Sequence, residues 1–314
     1  MTMETLPIKY ETLENKSIIV TGGASGFGLA SARVWAEHGA YVTLADLNKD
    51  DGEAAAADLT AKGYKVSFVQ CDVTDWTSSV AAFKHAVTFS PRKTLDIAAL
   101  FAGAGGDAGN VVHQMKRDNP EASLHIDPIE PSAKILEINL DGVVKSAKLA
   151  LYYFRLPAAA DAPQVSGKKS LFLIASLAGY IDYDSTHYCV SKYGVRGLFR
   201  SLRNASKDPD NNFTVNLLAP GYTPTPMVLK YDAGEGSRQK FVDSIEDNGL
   251  WCPVEAGVKA ASLSVTNEEV NGRSFGTWPY GFVDMMEDLD HGYGGEKLRE
   301  HAEKSGYYKA GVIV

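Results

Sequence analysis

The segment 17–37 constrains the fold of this chain more than any other. Ser17–Thr21 (SIIVT) is a short apolar run, Thr21–Gly28 (TGGASGFG) is a glycine-rich turn, and 26–37 carries helical periodicity. A strand that turns through glycines straight into a helix opens a βαβ unit. The alternation then repeats. Strands are predicted at 41–45, 65–70, 95–101, 170–175 and 213–218, and helices at 50–62, 76–88, 132–154, 186–206 and 254–263. This order gives a parallel sheet covered on both faces by helices, a doubly wound α/β fold of Rossmann type. A last strand is expected at 274–277. No internal repeat or second domain is visible, so 1–314 reads as one domain.

Three stretches break the rhythm. An insertion at 104–131 mixes glycine, proline and charge, and a loop that long inside a compact domain is usually functional or disordered. The segment 222–250, just after Pro220, reads as a mobile flap. The C-terminal extension 279–314 is polar and tyrosine-bearing, with one helix expected near 296–304.

Charge and composition narrow the function classes. The net charge is −8 and no dense basic run occurs. That argues against nucleic acid or an anionic membrane as the partner. No run approaches the roughly 20 apolar residues of a membrane span. The first ten residues lack the basic and apolar blocks of a secretory signal. A reducing, cytoplasmic setting is expected. The three cysteines, Cys71, Cys189 and Cys252, show no CxxC spacing, and read as free thiols rather than metal ligands or a disulfide. His113 and His125 lack a ligand pattern, so no metal is expected.

The glycine turn offers a dinucleotide site. Around Thr21, Gly22, Ser25, Gly26, Phe27 and Gly28, glycines allow close backbone approach, and the helix start supplies free N–H groups and a positive dipole end for a pyrophosphate. Asp46, at the end of the second strand, lies about twenty residues on, where a carboxylate bonds ribose hydroxyls. It would repel a 2′-phosphate, and neither Ala24, Ser25 nor the neighbouring Leu47 supplies a cation to offset that. NAD is therefore expected over NADP. Asp72, followed by Val73 after the third strand, reads either as a contact to the adenine amino group or as a helix cap.

Tyr188 and Lys192 carry the chemistry. At i and i+4 they share one helix face. Bringing a free phenol to half ionisation near pH 7 requires a drop of about three pKa units, about 4 kcal/mol. An ammonium about 4 Å away supplies roughly 4 kcal/mol at an effective dielectric of 20, so Lys192 can provide a large share and an oxidised nicotinamide ring would add more. Tyr188 then reads as the base that takes an alcohol proton as hydride leaves for a nicotinamide. Ser176 is placed to steady the reacting oxygen, or else to satisfy backbone after a strand. Asn139 reads as the holder of a water linking Lys192 to solvent, or as a mid-helix amide bonding nearby backbone. His187 faces away from the Tyr188–Lys192 edge.

In this combination the chain resembles the classical short-chain dehydrogenase/reductase family. The resemblance runs from Thr21 to about Phe275 and rests on the 21–28 turn, Asp46, Asp72, Asn139, Ser176, Tyr188-x-x-x-Lys192, and Pro220-Gly221 with Thr225. Its local text is similar to the NAD-dependent 15-hydroxyprostaglandin dehydrogenase branch and to fungal secondary-metabolism members of the 5′-hydroxyaverantin dehydrogenase type. The resemblance implies a catalytic tetrad of Asn139, Ser176, Tyr188 and Lys192. It also implies a nicotinamide carboxamide site at Pro220, Gly221, Tyr222, Thr223 and Thr225, and a homodimer or homotetramer. The family's Asn-Asn-Ala-Gly is here Leu100-Phe101-Ala102-Gly103. The end of that strand must therefore be stabilised otherwise, and any cofactor contact at Gly103 must come from backbone.

Aromatic and apolar residues crowd the expected rim: Tyr180, Ile181, Tyr183, Tyr222, Met227, Leu229, Tyr231, Phe241 and Trp251. Pockets of this lining suit a bulky, hydrophobic or aromatic secondary alcohol or its ketone. The rival readings are an enzyme running mainly as an NADH-dependent ketone reductase and a non-catalytic nucleotide-binding scaffold.

Overall fold

The computed structural model describes residues 3–105, 110–230 and 237–285. Eight strands form one sheet: β1 Ser17–Thr21, β2 Tyr41–Asp46, β3 Val66–Gln70, β4 Ile97–Leu100, β5 Lys169–Ile174, β6 Phe213–Ala219, β7 Ser274–Trp278 and β8 Gly281–Asp284. Their order is β3-β2-β1-β4-β5-β6-β7-β8. The first seven run parallel, and the order reverses between β1 and β4, where doubly wound sheets open a crevice. The strands are near-continuous apolar runs because both faces are covered.

One face carries α1 Gly26–Glu37, α2 Lys49–Ala61 and, far along the chain, Val254–Thr266. Trp35, Leu44 and Phe275 are buried there. The other face carries α3 Trp76–Phe89 and the long runs 134–154 and 186–205, over Phe83, Leu171 and Phe199. Local chemistry sets the helix starts. Asn48 Oδ1 accepts from the amide of Asp51 at 3.2 Å, and Asp75 Oδ1 from that of Ser78 at 3.0 Å.

The segments expected to be irregular hold more structure than the sequence suggests. Within 104–131 lies α4, Val111–Asp118, whose start is capped by Asn110 Oδ1. The following run is not one helix but α5 Lys134–Leu136, a π turn at Glu137–Asp141 closed by the Gly142 amide on the Glu137 carbonyl, and α6 Gly142–Phe154. Next comes α7 Thr186–Ala205. The expected flap contains α8 Pro226–Leu229 and α9 Ser237–Asp247, and α10 is Val254–Thr266. Past Pro279 the chain folds back as β8, antiparallel to β7 through a two-residue connection, with Trp278 paired to Gly281. Arg273 clasps Asp284 across that hairpin. The helix expected near 296–304 lies outside the described residues.

At the amino edge of the sheet, Asp96 is buried and holds three partners. Its Oδ2 accepts from the Ser17 amide at 2.9 Å and from Arg92 Nε at 3.1 Å, and its Oδ1 from Lys169 Nζ at 2.8 Å. Lys16 is buried beside them, and burial pushes its ammonium down while Asp96 pulls it back up. Asp96→Ala leaves three cations without their central carboxylate. Removing one partner of a buried pair costs about 3–5 kcal/mol. Urea unfolding of Asp96→Ala is expected to show a loss of that size, and a loss below about 1 kcal/mol would show that water screens the cluster.

Candidate active site

The glycines of the first turn are required by the protein's own backbone. Gly22 has φ +68°, and a Cβ there would lie 2.7 Å from the Ala102 amide nitrogen. A Cβ on Gly28 would lie 2.1 Å from the Gly22 carbonyl oxygen. Bare backbone at Gly22 therefore lets the end of β1 close on the end of β4, and at Gly28 it lets the first turn of α1 pack on the glycine loop. Thr21 is buried behind this contact, its Oγ1 accepting from the Ala102 amide at 3.3 Å. It is absent from the cleft wall, unlike its expected neighbours Gly22, Ser25, Gly26, Phe27 and Gly28.

The crevice at the strand-order reversal is a cleft of about 640 Å³. Its wall also includes Asp46, Leu47, Asp72, Val73, Gly103, Ser176, Tyr188, Lys192, Pro220, Gly221, Thr223 and Thr225. The start of α1 faces it, and the Ser25 side chain does not cap that helix. Uncapped amides at the start of a twelve-residue helix fit a pyrophosphate. The Asp46 carboxylate is oriented by two amides, Ala24 to Oδ2 and Asn48 to Oδ1, both at 3.0 Å. Asp72 accepts from the amide and the hydroxyl of Thr74 at 2.9 and 2.7 Å. Those bonds, with a smaller contribution from the Lys134 charge, hold its carboxyl below the usual range. The cap of α3 is Asp75, so Asp72 shapes the turn ahead of that helix.

Loss of the family's asparagine pair is met in two ways. Phe101 turns into the core against Phe172, with ring centroids 5.7 Å apart. Fully buried Asn139, in the π turn, grips the next loop: its Oδ1 accepts from the Ala104 amide at 2.7 Å and its Nδ2 donates to the Ala104 carbonyl at 3.0 Å. The backbone it bonds is not that of its own helix but that of a loop 35 residues away in sequence. A Cβ on Gly103 would lie 3.3 Å from Asn139 Oδ1 and 3.7 Å from Lys192 Nζ, so the three converge.

Ser176 ends β5. Its Oγ accepts from the Ala178 amide at 3.2 Å and is hydrogen-bonded to the side chain of Tyr188. Lys192 Nζ lies over the Tyr188 ring, 5.2 Å from the centroid. Tyr188 as a residue is half-buried, but its hydroxyl is enclosed by protein. Burial pushes that hydroxyl above the ordinary phenol value, and the bond from Ser176 offsets part of the shift. Burial also lowers Lys192 to about 8, with no carboxylate to offset it among the described residues. Contrary to the expectation from i,i+4 spacing, Lys192 over the ring face does not by itself bring the phenol into the neutral range.

A second cavity, of about 140 Å³, adjoins the first. Ser176, Tyr188, Pro220, Gly221, Met227 and Val228 border both. Five expected rim residues line it: Ile181, Tyr183, Tyr222, Met227 and Phe241. Tyr222, expected at the cofactor through its backbone and at the rim through its side chain, lines this pocket and not the larger cleft. Tyr180 is core, with its hydroxyl 2.7 Å from Ser274 Oγ and its ring under the Arg196 guanidinium. Leu229 and Trp251 lie off both walls, and Tyr231 is outside the described residues. Sequence reasoning missed Val228, Ser132–Lys134 and Glu137–Ile138 as cleft residues. Proline at the first position of α8 signals the first, while only the fold brings the others there. No helix among the described residues is long and apolar enough to cross a membrane.

The profile of the short chain dehydrogenase family matches residues 16–236. The chain is 43% identical over 291 residues to a 5′-hydroxyaverantin dehydrogenase of Dothistroma septosporum, covering 91% of this chain and 92% of that protein. It is 38% identical to a 5′-hydroxyaverantin dehydrogenase of Emericella nidulans, covering 95% and 96%. Among solved structures, an actinorhodin polyketide ketoreductase with NADPH superposes with a TM-score of 0.67 at 21% identity, covering 83% of this chain and 95% of that one. The chain belongs to the short-chain dehydrogenase/reductase family, and is an oxidoreductase that uses a nicotinamide dinucleotide to act on CH–OH groups.

Proposed function

We propose that the protein is an NAD-dependent dehydrogenase interconverting a bulky, apolar or aromatic secondary alcohol and its ketone, with Tyr188 as the acid/base. The observation that carries this reading is the place of the Ser176–Tyr188 hydroxyl pair, on the border between a large cleft and a small, largely apolar pocket. An oxidised nicotinamide bound in the cleft supplies the acceptor for the hydride of the carbinol carbon. In oxidation the Tyr188 phenolate takes the hydroxyl proton, and in reduction the phenol returns it. The Ser176 hydroxyl bonds the same substrate oxygen, Lys192 keeps positive charge beside the phenolate, and Asn139 positions the 101–105 loop. Names of the fungal relatives support a secondary-metabolism alcohol as substrate.

Asp46 supports NAD over NADP. Its oxygens are held in place by Ala24 and Asn48, so a 2′-phosphate meets a fixed negative charge. The NADPH of the distant ketoreductase says nothing of this position. Titration followed by nicotinamide fluorescence is expected to give at least tenfold tighter NADH than NADPH, narrowing in Asp46→Ala. Tighter NADPH would remove the assignment.

Tyr188→Phe is expected to lower kcat by 10²–10⁴-fold, the worth of a general acid/base, while NADH still binds. Because burial raises the Tyr188 hydroxyl, oxidation should speed up from neutral toward alkaline pH and reduction should slow down. A flat profile in both directions would exclude Tyr188 as the titrating group.

Lys192 yields a prediction of opposite sign for stability. Its folded pKa of about 8 lies below the ordinary lysine value of 10.5. The unfolded chain therefore binds more protons between those values, and stability from this group rises with pH across that window. Below pH 8 the buried charge costs about 3 kcal/mol. Lys192→Met is expected to raise stability at pH 7 by an amount of that order while abolishing turnover. An equal or lower urea midpoint would show that the ammonium is compensated.

A further inference from the structure

The small pocket holds a second polar point that the acid/base chemistry does not use. Beyond Ser176 and Tyr188, its wall is mostly apolar, with Leu177, Ile181, Met227 and Val228, yet two tyrosines, Tyr183 and Tyr222, also line it. The Tyr222 hydroxyl is hydrogen-bonded to the Tyr183 side chain. The two come from different loops, one after β5 and one after β6.

Tyr222 is fixed at three levels. Its carbonyl accepts from the Cys252 amide at 2.7 Å. Its ring meets Phe241 of α9 edge-on, with centroids 5.6 Å apart and planes at 81°. Its hydroxyl is held by Tyr183, whose own ring leans on Tyr188 with centroids 6.0 Å apart. Burial raises the Tyr222 phenol, so it is neutral at physiological pH. It is near enough to Tyr188 for charge on one to disfavour charge on the other.

A phenol hydroxyl has one hydrogen to donate and lone pairs to accept with. A single bond to Tyr183 leaves Tyr222 with capacity to spare, in a pocket whose remaining walls are mainly carbon. A ligand that brings only hydrocarbon there leaves that capacity unused and strips it of water. A site built to bond a substrate oxygen discriminates strongly against the analogue lacking it.

We propose that Tyr222 is a specificity-determining residue that bonds a second oxygen of the substrate, and that Tyr183 positions it. Resting on the dehydrogenase reading, this narrows the substrate to a flat aromatic ketone or carbinol that also bears a ring hydroxyl or carbonyl. The edge-on pair of Tyr222 and Phe241 suits a planar body, and the Ser176–Tyr188 pair takes the reacting oxygen.

The test is equilibrium binding, independent of turnover. α-Tetralone and its ring-hydroxylated derivatives are titrated by calorimetry into the full-length protein saturated with oxidised cofactor, a complex in which a ketone has no hydride to accept. At least one hydroxylated derivative is expected to bind about tenfold tighter than α-tetralone, the worth of one well-formed hydrogen bond. In Tyr222→Phe and in Tyr183→Phe that ratio should fall toward one. A ratio unchanged in both variants, with or without weaker binding overall, overturns the proposal, since a merely structural role moves all probes together. A native ratio near one for every derivative overturns it as well. Failure of the dehydrogenase reading shows separately, as bound α-tetralone that is not reduced by NADH or NADPH.

Discussion

Two absent side chains hold the arrangement together. With a Cβ at Gly22 the ends of β1 and β4 could not approach as they do, and with one at Gly28 the start of α1 could not pack on the glycine turn. The strand order reverses between these two strands, so their contact sets the floor of the crevice. On that floor the Asn139 amide ties the 101–105 loop to the helical run from Lys134, and Lys192 reaches the same point from α7. The positions of the Tyr188 ring, the uncapped start of α1 and the Asp46 carboxylate all follow from it.

Burial governs the chemistry as well. The protein encloses the Tyr188 hydroxyl and the Lys192 ammonium, and enclosure disfavours the charged form of each. The resting site is thus neutral in its tyrosine and weakly held in its lysine, and a positively charged partner in the cleft shifts both balances together. This is a site with stability set against function. The cost of holding Lys192 away from water is borne by contacts elsewhere, such as the Asp96 cluster at the opposite edge of the sheet.

Much of this was legible in the residues. The first strand, the glycine turn and α1 follow from apolar runs and glycine alone, and both reach the predicted bounds of 17–21 and 26–37. The acidic residue that ends β2 and the Tyr188–Lys192 spacing mark the cleft because both depend on local geometry. What was not legible depends on contacts distant in sequence. Tyr180 reads as rim from its neighbours, yet Arg196 and Ser274 make it core. Thr21 belongs to the turn in sequence but lies behind it in space. β8 was hidden because Pro279 and Tyr280 look like the start of a tail, although Gly281 beyond them permits a hairpin. The distance of Lys192 from the phenol could not follow from i,i+4 spacing, since side-chain direction on the helix decides it.

The π turn at Glu137–Asp141 carries one more implication. One extra residue absorbed in a turn sets every later side chain back by up to about 100° around the axis relative to an unbroken α-helix. The face of α6 that packs on the sheet, including Val143, Ala147 and Ala150, is therefore out of phase with the face set by α5. A relative lacking one residue here, aligned without a gap, would present its helix to the sheet in a different rotation. Length at this turn, rather than the identity of its residues, is what keeps the two halves of the helix in step with the two things they touch.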